Sequence, residues 1–337
     1  MSSHPPRLRA LSLAAGLAVA ALALSGCVAG ENATGEDAAA AAPGETTLNI
    51  DWATYNPLSL IVKDQGWLED EGYTVNWVQS LGSSKANEAL RSGAVDFGST
   101  AGSAALLARA NGAPQQIVDV VAQPEWAALV VPAGSAITSV ADLKGKKVAA
   151  ALGTDPYFFL VQALEAAGLT IDDVSVENLI HGDGWASLQA GSVDAWAGLD
   201  PIMATAEASG ASLLYRNVDF NSFSVLNASE KIIQTNPRAV QDVVNAYEEA
   251  RAWALQNPAQ TAQILADAAV IDPAVAKRVI DEREGLDVDP VPGDALRKVL
   301  APIGAIQVRN GDASDQAAVD KALGSLFAPQ FAEKAAG

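Results

Sequence analysis

Two histidines, one cysteine and a large excess of carboxylates over cations bound the chemistry open to this 337-residue chain. His4 lies in the N-terminal segment and His181 beside Gly182, so neither a Ser-His-Asp triad nor a Cys-His pair can be assembled in the body of the protein. His181 reads as a surface or capping residue. Asp183 and Asp200 could act as an acid/base pair on a glycan, but nothing in their spacing demands it. There is no GxGxxG, no P-loop and no Cys/His set for zinc. The expectation is therefore binding rather than catalysis, with no metal and no cofactor.

Five turns hold residues suited to binding a small polar solute. Trp52-Ala53-Thr54-Tyr55-Asn56 sets two aromatics and an amide ahead of Pro57. Trp52 either faces a ligand or packs in the core, and Asn56 either points at ligand or caps the helix. Ser80 to Ser84, with Gly82 and Ser83, and Ser99 to Ser103, with Ser99 and Thr100, each open a helix with hydroxyls and a glycine. Unpaired N–H groups at such helix starts can hold an anionic head group without an arginine, although plain N-capping explains the same hydroxyls. Gly153 to Tyr157, with Thr154, Asp155 and Tyr157, and Gly182 to Trp185, with Asp183 and Trp185, set a carboxylate beside an aromatic. Gln123, Trp126, Trp196 and Asp200 complete the candidate lining, whereas Trp67, Trp77 and Trp253 lie on apolar faces and read as core. Glu125, Asp155, Asp183 and Asp200 stand near these turns with only Lys85 as a cation. That balance favours a ligand carrying an ammonium or an amine-bearing ring beside its anionic group.

These turns need elements to hold them. Short apolar strands alternate with helical segments: 48–52, 57–67, 73–78, 84–91, 95–98, 103–111 and 117–121, and again 147–150, 156–167, 174–179, 185–189, 193–197 and 212–215. This βα alternation predicts an α/β fold of two βα lobes with a cleft between them, since ligands of open α/β sheets bind at the carboxyl ends of the strands. An internal echo supports two related lobes: Leu90, Gly93, Val95 and Asp96 recur at one constant offset as Leu188, Gly191, Val193 and Asp194. After Ser222 the pattern turns helical, over 237–256, 258–268, 273–284, 292–300 and 313–327, with proline opening four of the five. This helical C-terminal tail is expected to join the first lobe. The chain is expected to cross between lobes near Val131 to Gly134 and to return near Asn221 to Val225.

At the N-terminus Arg7 and Arg9 precede an apolar run from Ala10 to Leu24 and then Ser25-Gly26-Cys27. The run is shorter than the ~20 residues that span a bilayer core, so it reads as a lipoprotein signal peptide over 1–26 with Cys27 as the lipidation site. Residues 27–46 are small and polar and read as a flexible tether. The predicted body then divides into 47–132 (first lobe), 133–221 (second lobe) and 222–337 (return and C-terminal helices). The net charge of −19 repels phosphate backbones, so nucleic acid is excluded as a partner.

One family shares these marks in order. Gly66-Trp67-Leu68-Glu69, Ala89-Leu90 with Gly93 and Val95 to Gly98, Ala141 to Val148, Ala166 to Leu169, and Gly191 through Asp194-Ala195-Trp196 to Asp200-Pro201 resemble the sulfonate/nitrate/taurine substrate-binding proteins of ABC importers. The resemblance implies a two-lobed fold of the type II periplasmic-binding-protein topology, closing on a small sulfonate-, taurine- or nitrate-like solute. It also implies delivery to an ABC permease with a cytoplasmic ATPase, by a monomer lipid-anchored on the outer face of the cytoplasmic membrane. Some pyrimidine-synthesising enzymes share that fold, but they rely on histidines and cysteines missing here. Two alternatives stay open. A heteroaromatic nutrient such as a thiamine pyrimidine precursor could stack on Trp52, Tyr55, Trp126, Tyr157 or Trp185, and the lipoprotein could present its ligand to a membrane sensor.

Overall fold

The structure is a computed structural model that describes residues 46–336; the proposed leader, Cys27 and nearly all of the tether lie outside the described residues. Ten strands follow in chain order: β1 (Thr47–Trp52), β2 (Thr74–Gln79), β3 (Phe97–Ala101), β4 (Gln115–Ala122), β5 (Ala127–Val131), β6 (Lys147–Ala150), β7 (Ser175–Asn178), β8 (Ala195–Leu199), β9 (Ser212–Tyr215) and β10 (Ser224–Ser229). They form two five-stranded sheets, β2-β1-β3-β10-β4 and β7-β6-β8-β5-β9.

The two sheets share one plan. In each, four strands run in one direction, three of them as adjacent parallel neighbours, and the first strand after a crossover inserts antiparallel beside the third of these: β5 between β8 and β9, β10 between β3 and β4. The first crossing therefore lies in residues 123–126, not near Val131 to Gly134. The apolar run Ala127–Val131 is buried throughout and completes the second sheet instead of ending the first. The return runs between Tyr215 and Ser224.

Between the strands lie α1 (Pro57–Gln65), α2 (Trp67–Asp70), α3 (Ser83–Ser92), α4 (Gly102–Ala110), α5 (Asp155–Ala166), α6 (His181–Gln189) and α7 (Ile202–Ala208). The repeated residues do the same work twice. Leu90 and Leu188 are buried, Gly93 and Gly191 end α3 and α6 with φ of 74° and 67°, and Val95 and Val193 enter the core. Asp96 then accepts the Asn49 N–H of β1 at 3.0 Å, and Asp194 accepts the Lys147 N–H of β6 at 2.8 Å. A glycine is needed at both helix ends because the left-handed conformation costs an L-residue about 1 kcal/mol or more.

The tail forms α8 (Glu230–Thr235), α9 (Pro237–Gln256), α10 (Pro258–Ala269), α11 (Pro273–Glu282), α12 (Asp294–Arg309), α13 (Gln316–Ser325) and α14 (Gln330–Ala335). Helices α9 and α14 bury Val240, Val243, Tyr247 and Phe331 against the first sheet, and α12 and α13 cover α4 and β4. Helix α12 runs on through Pro302, longer than the proline and apolar pattern suggested, because Ile303 and Ile306 dock on the second sheet's side. No helix among the described residues is long and apolar enough to cross a membrane.

Candidate functional site

Parallel strands bring the carboxyl ends of β1, β2 and β3 to face those of β6, β7 and β8, and a helix starts at nearly every one. The lobes are apposed there. Asp155, the first residue of α5 in the second lobe, is 1% exposed and accepts four hydrogen bonds. Ser103 Oγ at the start of α4 donates at 2.7 Å, Ser222 donates through Oγ at 2.7 Å and N–H at 2.8 Å, and Trp126 Nε1 donates at 2.8 Å. Burial raises the Asp155 pKa, and these donors pull against that shift. Tyr55 meets Trp126 edge-on with centroids 6.0 Å apart. Ser103 belongs to one of the expected turns, whereas Ser222 was not among the expected lining residues.

The first lobe carries its own buried polar network. Asp51 of β1 accepts the Ser99 N–H at 2.7 Å and the Ser99 hydroxyl at 2.9 Å, and burial pushes its carboxyl up to about 7. Asn56 caps α1 by accepting the Ser59 N–H at 3.2 Å, and its amide donates to Ser99 Oγ at 2.8 Å. Tyr55 donates to the Ser99 carbonyl at 3.1 Å, and Asn227 donates to Thr100 Oγ1 at 2.8 Å. Ser99 and Thr100 thus lie inside β3, not in a turn, and are fully buried and hydrogen-bonded within their lobe. Ser83 Oγ accepts the Ala101 N–H at 2.9 Å, and Thr154 donates to the Ala151 carbonyl at 2.6 Å.

Several expected lining residues go elsewhere. The half-buried Trp52 faces outward under Lys63, whose Nζ lies 5.5 Å from the ring centroid, in an outer pocket with Leu60, Ile264 and Ala268. Gln123 is exposed on the crossover. Helix α6 begins at His181, earlier than the sequence suggested, so Asp183 projects from its first turn into solvent and Trp185 packs on Trp196 with centroids 6.2 Å apart. Tyr157 sits edge-on to Phe158 at 5.2 Å within the interlobe core.

The acidic groups are also paired. Asp200 is 4% exposed and bound to Arg283 at 3.1 Å and 3.2 Å, while Arg283 reaches Glu207 with its other amino group. Burial raises Asp200 to about 6, with Arg283 opposing. Arg216 takes Glu125 with both arms, at 3.0 Å and 2.6 Å. Lys85 is 60% exposed and turned to Glu88 at 2.9 Å. The acidic excess therefore gives no reason to expect an amine on the ligand: Asp200 and Glu125 are met by arginines distant in sequence, Asp155 by neutral donors, and Asp183 lies in solvent. Among the described residues no group of three His, Cys, Asp or Glu could hold a metal ion.

His181 corrects the surface reading. It is 3% exposed, at the β7–α6 turn against the β2–α3 turn of the other lobe, where an added Cβ on Gly82 would lie 3.0 Å from Nε2. Burial alone lowers its pKa to about 4. No local signal marks this burial; it follows from lobe apposition.

The sequence profile described as NMT1/THI5 like matches residues 58–261. An Escherichia coli protein described as an aliphatic sulfonates-binding protein is 31% identical over 241 residues, which cover 71% of this chain and 73% of that protein. The alkanesulfonate-binding protein SsuA of Xanthomonas axonopodis, solved bound to MOPS, superposes with a TM-score of 0.77 at 26% identity, over 84% of this chain and 99% of that one. The periplasmic aliphatic sulphonate binding protein SsuA of Escherichia coli gives a TM-score of 0.72 at 27% identity, over 84% and 92%.

Proposed function

Since this chain belongs to the NMT1/THI5-like family, we propose that it is the extracytoplasmic solute-binding component of an ABC importer and takes a small alkanesulfonate into its interlobe cleft. The similarity to the Escherichia coli sulfonates-binding protein over most of both chains carries this reading. The cleft chemistry agrees with it. Helix starts of α3, α4, α5 and α6 meet between the lobes, and such starts offer N–H donors and partial positive charge to a sulfonate without a side-chain cation.

Four of the aromatic side chains that could stack a heteroaromatic ring are otherwise engaged. Trp126 is tied to Asp155, Trp185 packs on Trp196, and Trp52 faces away under Lys63. Tyr55 is held on the Ser99 carbonyl. The proposal extends to the rest of the system: a binding protein without catalytic activity, acting as a monomer, anchored through Cys27 to the outer face of the cytoplasmic membrane and delivering to a permease and its ATPase. A metabolic label on Cys27, lost in Cys27→Ser, tests the anchor.

The ligand is tested by melting the chain after it has been unfolded and refolded to strip carried-over solute, in the presence of 1-propanesulfonate, taurine, nitrate or a thiamine-precursor pyrimidine. Ligand at 100 times its dissociation constant adds about 2.7 kcal/mol of stability. A rise in Tm with propanesulfonate is expected; a rise with the pyrimidine alone would replace this reading.

A further inference from the structure

Among the described residues, neither ring nitrogen of His181 has a hydrogen-bond partner, although the residue is only 3% exposed. Leaving donor and acceptor unpaired in a dry interior is costly, so the position calls for a polar group that is supplied from outside the fold. The ring stands on the first residue of α6, at the carboxyl end of β7. It packs against the turn before α3, where Gly82 with φ 144° carries no side chain and an added Cβ would crowd the ring, 3.0 Å from Nε2 and 3.3 Å from Cδ2. The buried hydroxyls of Ser80 and Ser83 belong to the same turn. The first N–H groups of α3 and α6, which have no acceptor within their own helices, open at this seam.

Resting on the reading of the cleft as a sulfonate site, we propose that His181 is a specificity-determining ligand contact whose imidazole N–H donates to a sulfonate oxygen held at the seam of the α3 and α6 starts. Binding then draws a proton to the ring. The charged side chains on the elements around it are otherwise engaged or distant. Lys85 and Glu88 of α3 pair with each other at the surface, and Asp183 of α6 is exposed. Asp200 at the end of β8 and Glu207 of α7 are held by Arg283. Lys147 stands at the opposite end of β6. Asp155 at the start of α5 is taken up by Ser103, Ser222 and Trp126, and burial is what lowers His181, so a bound sulfonate would bring the counter-charge.

The sign of the pH dependence separates a contact from mere burial. An open lobe exposes the ring near its ordinary pKa of about 6.5. If closure buries it untouched at about 4, affinity weakens roughly tenfold between about pH 8 and about pH 5.5. If the ring meets a sulfonate and its pKa rises by about one unit, affinity tightens roughly five- to tenfold over the same range.

The test is calorimetric titration of the full chain with 1-propanesulfonate across that range, for wild type and His181→Gln. The expected result is tightening in acid for the wild type, and for His181→Gln a weaker affinity that shows no slope. Weakening in acid, or an unchanged slope in His181→Gln, overturns the proposal. Should that variant fail to fold, the imidazole signals of labelled histidine in His4→Gln, which leaves His181 as the chain's only histidine, decide the matter. A His181 signal that propanesulfonate shifts supports the contact, and one that saturating propanesulfonate leaves unmoved overturns it. A wild-type chain that binds no alkanesulfonate at any pH instead removes the reading of the cleft, and this contact falls with it.

Discussion

Asn56 and Asp155 occupy matching places in the two halves of the molecule. Each directly precedes the proline in the first turn of the helix after its lobe's first parallel strand, Pro57 after β1 and Pro156 after β6. Their partners differ. Asn56 is satisfied inside its own lobe, by the Ser59 N–H and the Ser99 hydroxyl. Asp155 bonds to Ser103 of the facing lobe, to Ser222 on the return crossover and to Trp126 on the first. A common local rule sets a short polar side chain at a helix start. Where its acceptors turn is decided by which surface lies opposite, so one residue caps and the other fastens the lobes together.

Breaking contacts between the lobes should therefore cost more than breaking contacts within one. Arg283→Met strands the buried Asp200 and part-buried Glu207, and we expect a loss of about 3–5 kcal/mol in denaturant unfolding. A change below about 1 kcal/mol would show that the bridge forms only in the closed state. Asp155→Ala removes the acceptor of two hydroxyls, an indole N–H and the Ser222 backbone N–H. It should cost about 2–4 kcal/mol and weaken propanesulfonate binding as well. Asn56→Ala should cost about 1–2 kcal/mol of stability with ligand affinity nearly unchanged. If both variants weakened ligand equally, the contrast between cap and fastener would fail.

Acidity sharpens the same contrast through Asp51, whose folded pKa of about 7 lies above its ordinary 3.8. Such a group takes up a proton on folding between those values, so it destabilises progressively as pH rises from about 4 to 7 and no further above that. Asp51→Asn can still accept from Ser99, and its unfolding free energy should show a shallower decline over that window, with the gain largest near pH 8. The smallest effect is expected at Lys85→Gln, on an exposed surface pair: propanesulfonate affinity measured by calorimetry should not change.

The fold was legible where local rules act. Proline starts, glycine stops and apolar periodicity place α9 at Pro237–Gln256 and β6 at Lys147–Ala150, and the Leu-Gly-Val-Asp echo marks equivalent segments in both sheets. The missed strand, Ala127–Val131, is uniformly apolar and carries no period, so only its pairing with β8 and β9 assigns it to the second sheet. Among site residues, the turns at Asn56, Gly82 and Asp155 were read from glycine, proline and polar spacing. Arg283 and Ser222 were not, because nothing near them in sequence names Asp200 or Asp155.

The sequence by itself determined the α/β alternation, the duplication, the helical tail and the family, since each is written in residues close along the chain. The tertiary structure alone decided which carboxylates are neutralised and that His181 is buried. Those outcomes depend on groups far apart in the chain, brought together when β5 and β10 insert antiparallel and set the two rows of strand ends face to face.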